Sequence, residues 1–175
     1  EGVEAADATI FRHGGRYWMT SVVRDGYGGY SDTLAIHHAP SLFGPWEAHE
    51  LSPVLVDSRF ARPAGAVVSH NGALLRPVQD CSSGYGKKLA IMRIDALDPH
   101  IFRQTLVAHL GPGRDWPGDR LHTLNRCGRL EVIDGAILTP KYLPLRRALH
   151  GAIDGRGLDA CDTRVASVTP DIISG

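Results

Sequence analysis

Cysteine is scarce and odd in number: Cys81, Cys127 and Cys161 are all there is, with no C-x-x-C between them. That pattern argues against a disulfide framework and a zinc site. Reduced thiols and a cytoplasmic setting are expected, each cysteine serving as a small apolar residue. Net charge is missing too, since 19 Lys and Arg balance 19 Asp and Glu. The balance does not suggest the basic footprint of a nucleic-acid binder or a polybasic membrane patch. No apolar run approaches the roughly 20 residues of a membrane span. The opening "EGVEAADATIF" has neither a basic n-region nor an apolar h-region. It carries no initiator Met and enters strand-like sequence almost at once, so a segment of something longer is expected. Lysine is nearly absent, with 3 against 16 Arg, which suggests a GC-rich bacterial coding sequence and says nothing of chemistry. Helical periodicity is also lacking, as are H-E-x-x-H, G-x-S-x-G and a phosphate-binding glycine loop. "GYGGY" is Gly-rich but no helix follows it, so a nucleotide site is excluded.

What is present is strand signal. Short runs rich in Val, Ile, Leu, Tyr and Trp are punctuated by 20 Gly and 11 Pro. The chain also repeats itself. "DATIFRHGGRYWM" lies on "AGAVVSHNGALLR" at an offset of 57 residues, which sets His13 on His70 and Gly15 on Gly72. Each copy reads as strand, tight turn, strand, and Asn-Gly between apolar runs is a strong hairpin signal. A further step of the same length reaches "LHTLNRCGRLEVIDG", with "RCG" as the turn. "GYSDTLAIHHAPSL" lies on "GYGKKLAIMRIDAL" at an offset of 55, and a fourth short strand follows each, ending near Val54 and near His109. Four antiparallel strands per unit, in tandem, predict β-propeller blades over about 7–57, 62–112 and 119–139, a partial all-β propeller of two and a half to three blades. A β-sandwich is the competing fold and leaves the repeat unexplained. Residues 140–175 break the pattern and read as an irregular C-terminal extension. A propeller needs about four blades to close, so missing N-terminal blades or self-association is expected to protect the strand edges.

In a propeller the inner strand starts converge on one site. The three units offer Asp7, Arg62 and His122 with Asn125 at equivalent starts. "RPVQDCSSGYG" (76–86) reads as a loop between the second and third strands of the second unit. It adds Arg76, Gln79, Asp80 and the ring of Tyr85. Carboxylate, amide and guanidinium beside an aromatic ring suit a polyol, whose hydroxyls want donors and acceptors and whose C–H face wants a ring. The plainer reading of that loop is a long turn with Asp80 capping backbone N–H groups.

"DATIFRHGGRYWM", "SLFGPW", "ARPAG", "RPVQDCSSGYG" and "LHTLN…IDG" together resemble the N-terminal propeller domain of the glucosamine inositolphosphorylceramide transferase family, from about Glu4 to Thr139. The first pattern is also similar to blades of the five-bladed family-43 glycoside hydrolases. The resemblance implies a five-bladed propeller lacking its first two blades, with a carbohydrate or glycoconjugate as partner. It implies Asp7 as the catalytic or pKa-tuning carboxylate; Arg62, Arg76, Gln79, Asp80, Tyr85, His122 and Asn125, read from the strand starts and the 76–86 stretch, are expected to bind substrate. Glycoside cleavage needs a carboxylate pair, and here the acid's place reads "RPAG", with Arg62 and no Glu. A glycosyl-transferring or glycoside-hydrolysing protein is therefore weighed against a non-catalytic carbohydrate-binding module or an inactive propeller fragment. In the plant members sugar transfer is associated with a separate C-terminal glycosyltransferase domain, which 36 residues cannot hold. No cofactor is expected, apart from the calcium ion that some family-43 propellers hold on the axis near a histidine, for which His122 is the candidate.

Overall fold

A computed structural model describes residues 4–24, 29–114, 116 and 118–137. The expected extension at 140–175, Cys161 and most of "GYGGY" lie outside the described residues. Among those described, the chain is all-β, with no helix and three antiparallel sheets following one another along the sequence. Strands β1 (Ala5–His13), β2 (Arg16–Val23) and β3 (Thr33–Ala39) form the first sheet with two short pieces, β4 (Glu47–Ala48) and β5 (Leu55–Val56), both on β3. The second sheet runs β6 (Val68–His70), β7 (Ala73–Asp80), β8 (Lys88–Leu97) and β9 (Phe102–Leu110). The third is a hairpin of β10 (Thr123–Cys127) and β11 (Leu130–Asp134). These serial sheets are what a partial propeller requires.

The 57-residue repeat reappears in the hairpins, whose first strands end at His13, His70 and Cys127. Gly14-Gly15 and Asn71-Gly72 all have positive φ, from 48° to 79°. That is the φ pattern of the type I′ turn, whose twist matches the strands it joins. In the third hairpin only Gly128 does, at φ 60°, and Arg126 and Cys127 belong to β10. The turn there is Gly128-Arg129, one residue on from the centre of "RCG". The expected fourth strand of the first unit is broken into β4 and β5. Pro45 and Pro53, which have no N–H to give a ladder, flank β4.

Each sheet packs the same face forward onto the next. Trp18, Val22, Leu34 and Ile36 pack with Ala61, Leu97 and Phe102. Leu89, the repeat partner of Leu34, packs with Ala64, Leu121, Leu124 and Ile133. On the opposite face of the second sheet, Val78, Ala90 and Met92 meet Phe60. The second sheet is thus covered on both sides.

One expectation is corrected. Arg76–Asp80 is not loop but the buried end of β7, and only 81–87 connects β7 to β8. A strand with both faces covered shows no alternation to read. Arg76 is fully buried. It donates from Nη1 to Ala61 O at 3.0 Å, from Nη2 to Phe60 O, and from Nε and Nη2 to Gln104 Oε1 at 3.3 and 2.9 Å. The carbonyls of Phe60 and Ala61 lie outside the named strands and take their donors from this fork.

Burial also lowers the pKa of His37 and His38 on β3, aided at His38 by the Arg16 guanidinium. A base with a depressed folded pKa contributes stability that is present above its unfolded value of about 6.5 and lost as pH falls below it. The urea midpoint is therefore expected to be lower at pH 5.5 than at pH 7.5. A His37→Gln, His38→Gln double variant is expected to flatten that difference.

Candidate functional site

Asp7 sits at a β-bulge, where the β1–β2 register shifts between Ala6 and Thr9, with φ 53°. Bulges re-aim side chains, and Asp tolerates left-handed backbone better than most residues. The carboxylate turned out in this way meets the second unit: Asp7 Oδ2 accepts from Arg62 Nε at 2.6 Å. Arg62 is buried and also donates from Nη1 to Tyr30 O. Its Cζ lies 4.7 Å from the centre of the Tyr85 ring, within cation–π range.

Tyr85 comes from the β7–β8 loop, held between Gly84 at φ 122° and Gly86 at φ 60°. Its Oη is hydrogen-bonded to His122 Nε2, and the two rings meet edge to face with centres 5.0 Å apart. His122 Nδ1 faces Asp134 Oδ2 at 3.4 Å. Arg120 Nη1 donates to the Tyr85 carbonyl. Burial pulls the Asp134 carboxyl upward, but hydrogen bonds from Thr123 and the neighbouring His122 outweigh it and hold it below its ordinary value. A cleft of about 180 Å³ opens beside this group, lined by Tyr85, Gly86, Arg120, His122, Asp134 and Gly135.

Four of the sequence candidates thus come together, Asp7, Arg62, Tyr85 and His122, at one end of the sheets. Four do not join them. Arg76 is committed to backbone and Gln104. Gln79 is buried in β7, where its Oε1 faces the Cys81 thiol at 3.9 Å. Asp80 caps the following turn, accepting from Ser82 N at 3.0 Å and from Ser82 Oγ, which is the plainer reading of that stretch. Asn125 Oδ1 accepts from Ala66 N at 2.9 Å and ties the third sheet to the second. Two lining residues stand outside the expected site, Arg120 and Asp134, the latter readable in the sequence as part of an Asp-Gly turn. The signal for Asp134 lay in the hairpin register: counting back from the Gly128 turn pairs Thr123 with Asp134, beside His122.

Among the described residues no group of three or more His, Cys, Asp or Glu side chains converges to hold a metal ion. His122 has Nε2 engaged by Tyr85 and Nδ1 by Asp134. Among the described residues, His122 thus has no ring nitrogen left over for a calcium ion.

A family model described as "Glucosamine inositolphosphorylceramide transferase 1, N-terminal" matches residues 4–132. The Arabidopsis thaliana protein named glucosamine inositolphosphorylceramide transferase 1 is 31% identical over 124 residues, covering 66% of this chain and 16% of that protein. An Oryza sativa subsp. indica protein of the same name is 29% identical over 160 residues, covering 83% of this chain and 21% of its own length. The chain therefore spans about a fifth or less of the length of these relatives, which are plant proteins. No solved structure matches the chain.

Proposed function

The chain belongs to the family of the glucosamine inositolphosphorylceramide transferase N-terminal region, and from that premise we propose that it is the carbohydrate-directed domain of a longer glycosyl-transferring protein. The observation that carries this reading is the line Asp7–Arg62–Tyr85–His122, a chain of contacts that runs from the first sheet to the cleft lined by Tyr85 and His122. Among the described residues Arg62 Nη2 has no partner. It is left to donate to a ligand hydroxyl, with Tyr85 Oη and the Arg120 guanidinium nearby. In this reading Asp7 is a positioning residue that holds the fork of Arg62 toward the ligand.

The names of the relatives supply the chemistry of the ligand: a glucosamine ring, or the inositol phosphate of a glycolipid headgroup. The favoured form of the reading is recognition without two-carboxylate hydrolysis. Its support is that the carboxylate at the strand starts, Asp7, is ion-paired, and that arginine stands where the family-43 acid would be.

Calorimetric titration of the 175-residue chain with glucosamine and with myo-inositol 1-phosphate tests it. Saturable binding of at least one is expected, and Arg62→Met is expected to weaken it about tenfold, as loss of one charged hydrogen bond would. No binding to either compound, or full affinity in a folded Arg62→Met variant, would sink the reading.

A further inference from the structure

The geometry points to a second capability in the same cleft: Tyr85, His122 and Asp134 form a nucleophile–base–orienter series, with the phenol oxygen of Tyr85 as the attacking atom. Three observations converge on it. The Tyr85 hydroxyl is hydrogen-bonded to His122 Nε2, and the other ring nitrogen, Nδ1, faces the Asp134 carboxylate at 3.4 Å. A hydroxyl within reach of an imidazole that is itself oriented by a third group is the arrangement that activates a weak nucleophile. Tyrosine is among the side chains that serve as one, including in glycoside chemistry.

Second, the backbone is shaped around the pair. A Cβ on Gly86 would come within 2.9 Å of His122 Cδ2, and one on Gly135 within 2.1 Å of Arg120 O. Neither position admits a side chain without moving the imidazole or its surroundings. Third, the Tyr85 side chain is accessible. Tyr85 is half exposed and lines the open cleft, and cations stand on either side of it, Arg62 over its ring and Arg120 at its carbonyl.

The substrate class rests on the carbohydrate reading above: a glycosyl donor whose leaving group departs as an anion. Tyr85 Oη bonds to the anomeric carbon. The bond from that carbon to the leaving group breaks, and the electron pair leaves with the anion. The phenol proton passes to His122 Nε2, and Asp134 offsets the charge of the imidazolium. Tyr85 is the catalytic residue, and His122 its base. Asp134 is a positioning residue, acting through the ring.

A sulfonyl fluoride tests the relay without requiring sugar binding. Attack by the phenol forms an O–S bond and expels fluoride, and the proton goes to His122. Peptide mass spectrometry of the 175-residue chain after timed exposure to phenylmethanesulfonyl fluoride reads the rate at each tyrosine. Tyr85 is expected to react about a hundredfold faster than Tyr17 in the same molecule, the scale of general-base assistance. His122→Asn is expected to bring it down to the Tyr17 rate. Asp134→Asn is expected to slow it about tenfold and shift its pH profile, since an amide favours the wrong ring tautomer. Because Tyr17 is an internal standard, the wild-type ratio is informative even if a variant fails to fold. Equal rates at Tyr85 and Tyr17, or a fast Tyr85 that ignores folded His122→Asn, would overturn the relay. A second exposure, to 2-deoxy-2-fluoroglucosyl fluoride, is expected to leave a glycosyl adduct on Tyr85. Its absence would overturn glycosyl transfer through Tyr85, while sugar binding by calorimetry would leave the carbohydrate reading standing.

Discussion

Arg76→Met is expected to destabilise the chain by about 3 kcal/mol, since it leaves three acceptors without the donors they now have. Two effects oppose each other. Burial pushes the guanidinium down to about 9, so it stays charged at neutral pH and its desolvation is unfavourable; removing it relieves that cost. Against this, Met leaves Phe60 O, Ala61 O and Gln104 Oε1 without the donors they now have. Each buried acceptor left unpaired costs about 1–3 kcal/mol. Ala61 O is buried and Phe60 O and Gln104 Oε1 are part-buried, and the three together are expected to outweigh the relief. Urea unfolding followed by tryptophan fluorescence measures the difference. Arg76→Lys is expected to recover less than half of it, because an ammonium cannot span acceptors that a planar fork reaches. The Arg76→Met, Gln104→Leu double variant is expected to be more stable than Arg76→Met alone, since it removes one orphaned oxygen. Additive costs in that cycle would show that the fork does not act through Gln104.

Gly65→Ala is the second substitution with a large expected cost, and it acts on the join between sheets. Gly65 has φ 141°, and a Cβ there would lie 1.9 Å from Leu124 O and 2.8 Å from Leu124 C. The obstacle is backbone, and that backbone is pinned. Leu124 N donates to Ala64 O at 2.8 Å, and Ala66 N to Asn125 Oδ1 at 2.9 Å. The β10–β11 hairpin has to back away from the second sheet, uncovering Leu89, Leu121 and Leu124. A cost of about 3 kcal/mol is expected from strain and lost burial together. A two-stranded hairpin has little stability alone. Limited proteolysis should therefore cut within 111–122 in the variant well before it cuts the wild-type chain there. Gly111→Ala, where an added Cβ meets no atom within 4 Å, is the matched control and is expected to be nearly silent. Similar proteolysis of Gly65→Ala and the control would show that the hairpin does not depend on this approach.

Much of the architecture was legible because it depends on local chemistry. Gly14-Gly15, Asn71-Gly72 and Gly128 favour positive φ through their own side chains or lack of them, so the hairpins and their 57-residue spacing can be read without knowing what they pack against. The convergence of Asp7, Arg62 and His122 followed from that repeat, since equivalent strand starts in stacked sheets point to one end. Tyr85 stands between two glycines because the loop needs positive φ on either side and the His122 ring lies against Gly86.

Arg76, Gln79 and Asp80 were misplaced for a different reason. Whether a polar strand is a surface loop or an interior ladder depends on which sheets cover it, and residues far away in the chain supply that cover: Phe60 and Ala61 on one side, Leu121 and Leu124 on the other. Arg120 and Asp134 were not placed in the site because their position beside Tyr85 comes from the docking of the third hairpin onto the second sheet. Residue type carries turn geometry and strand tendency within a few positions. The pairing of buried donors with distant acceptors, and of Tyr85 with His122 across 37 residues, exists only once the sheets have stacked.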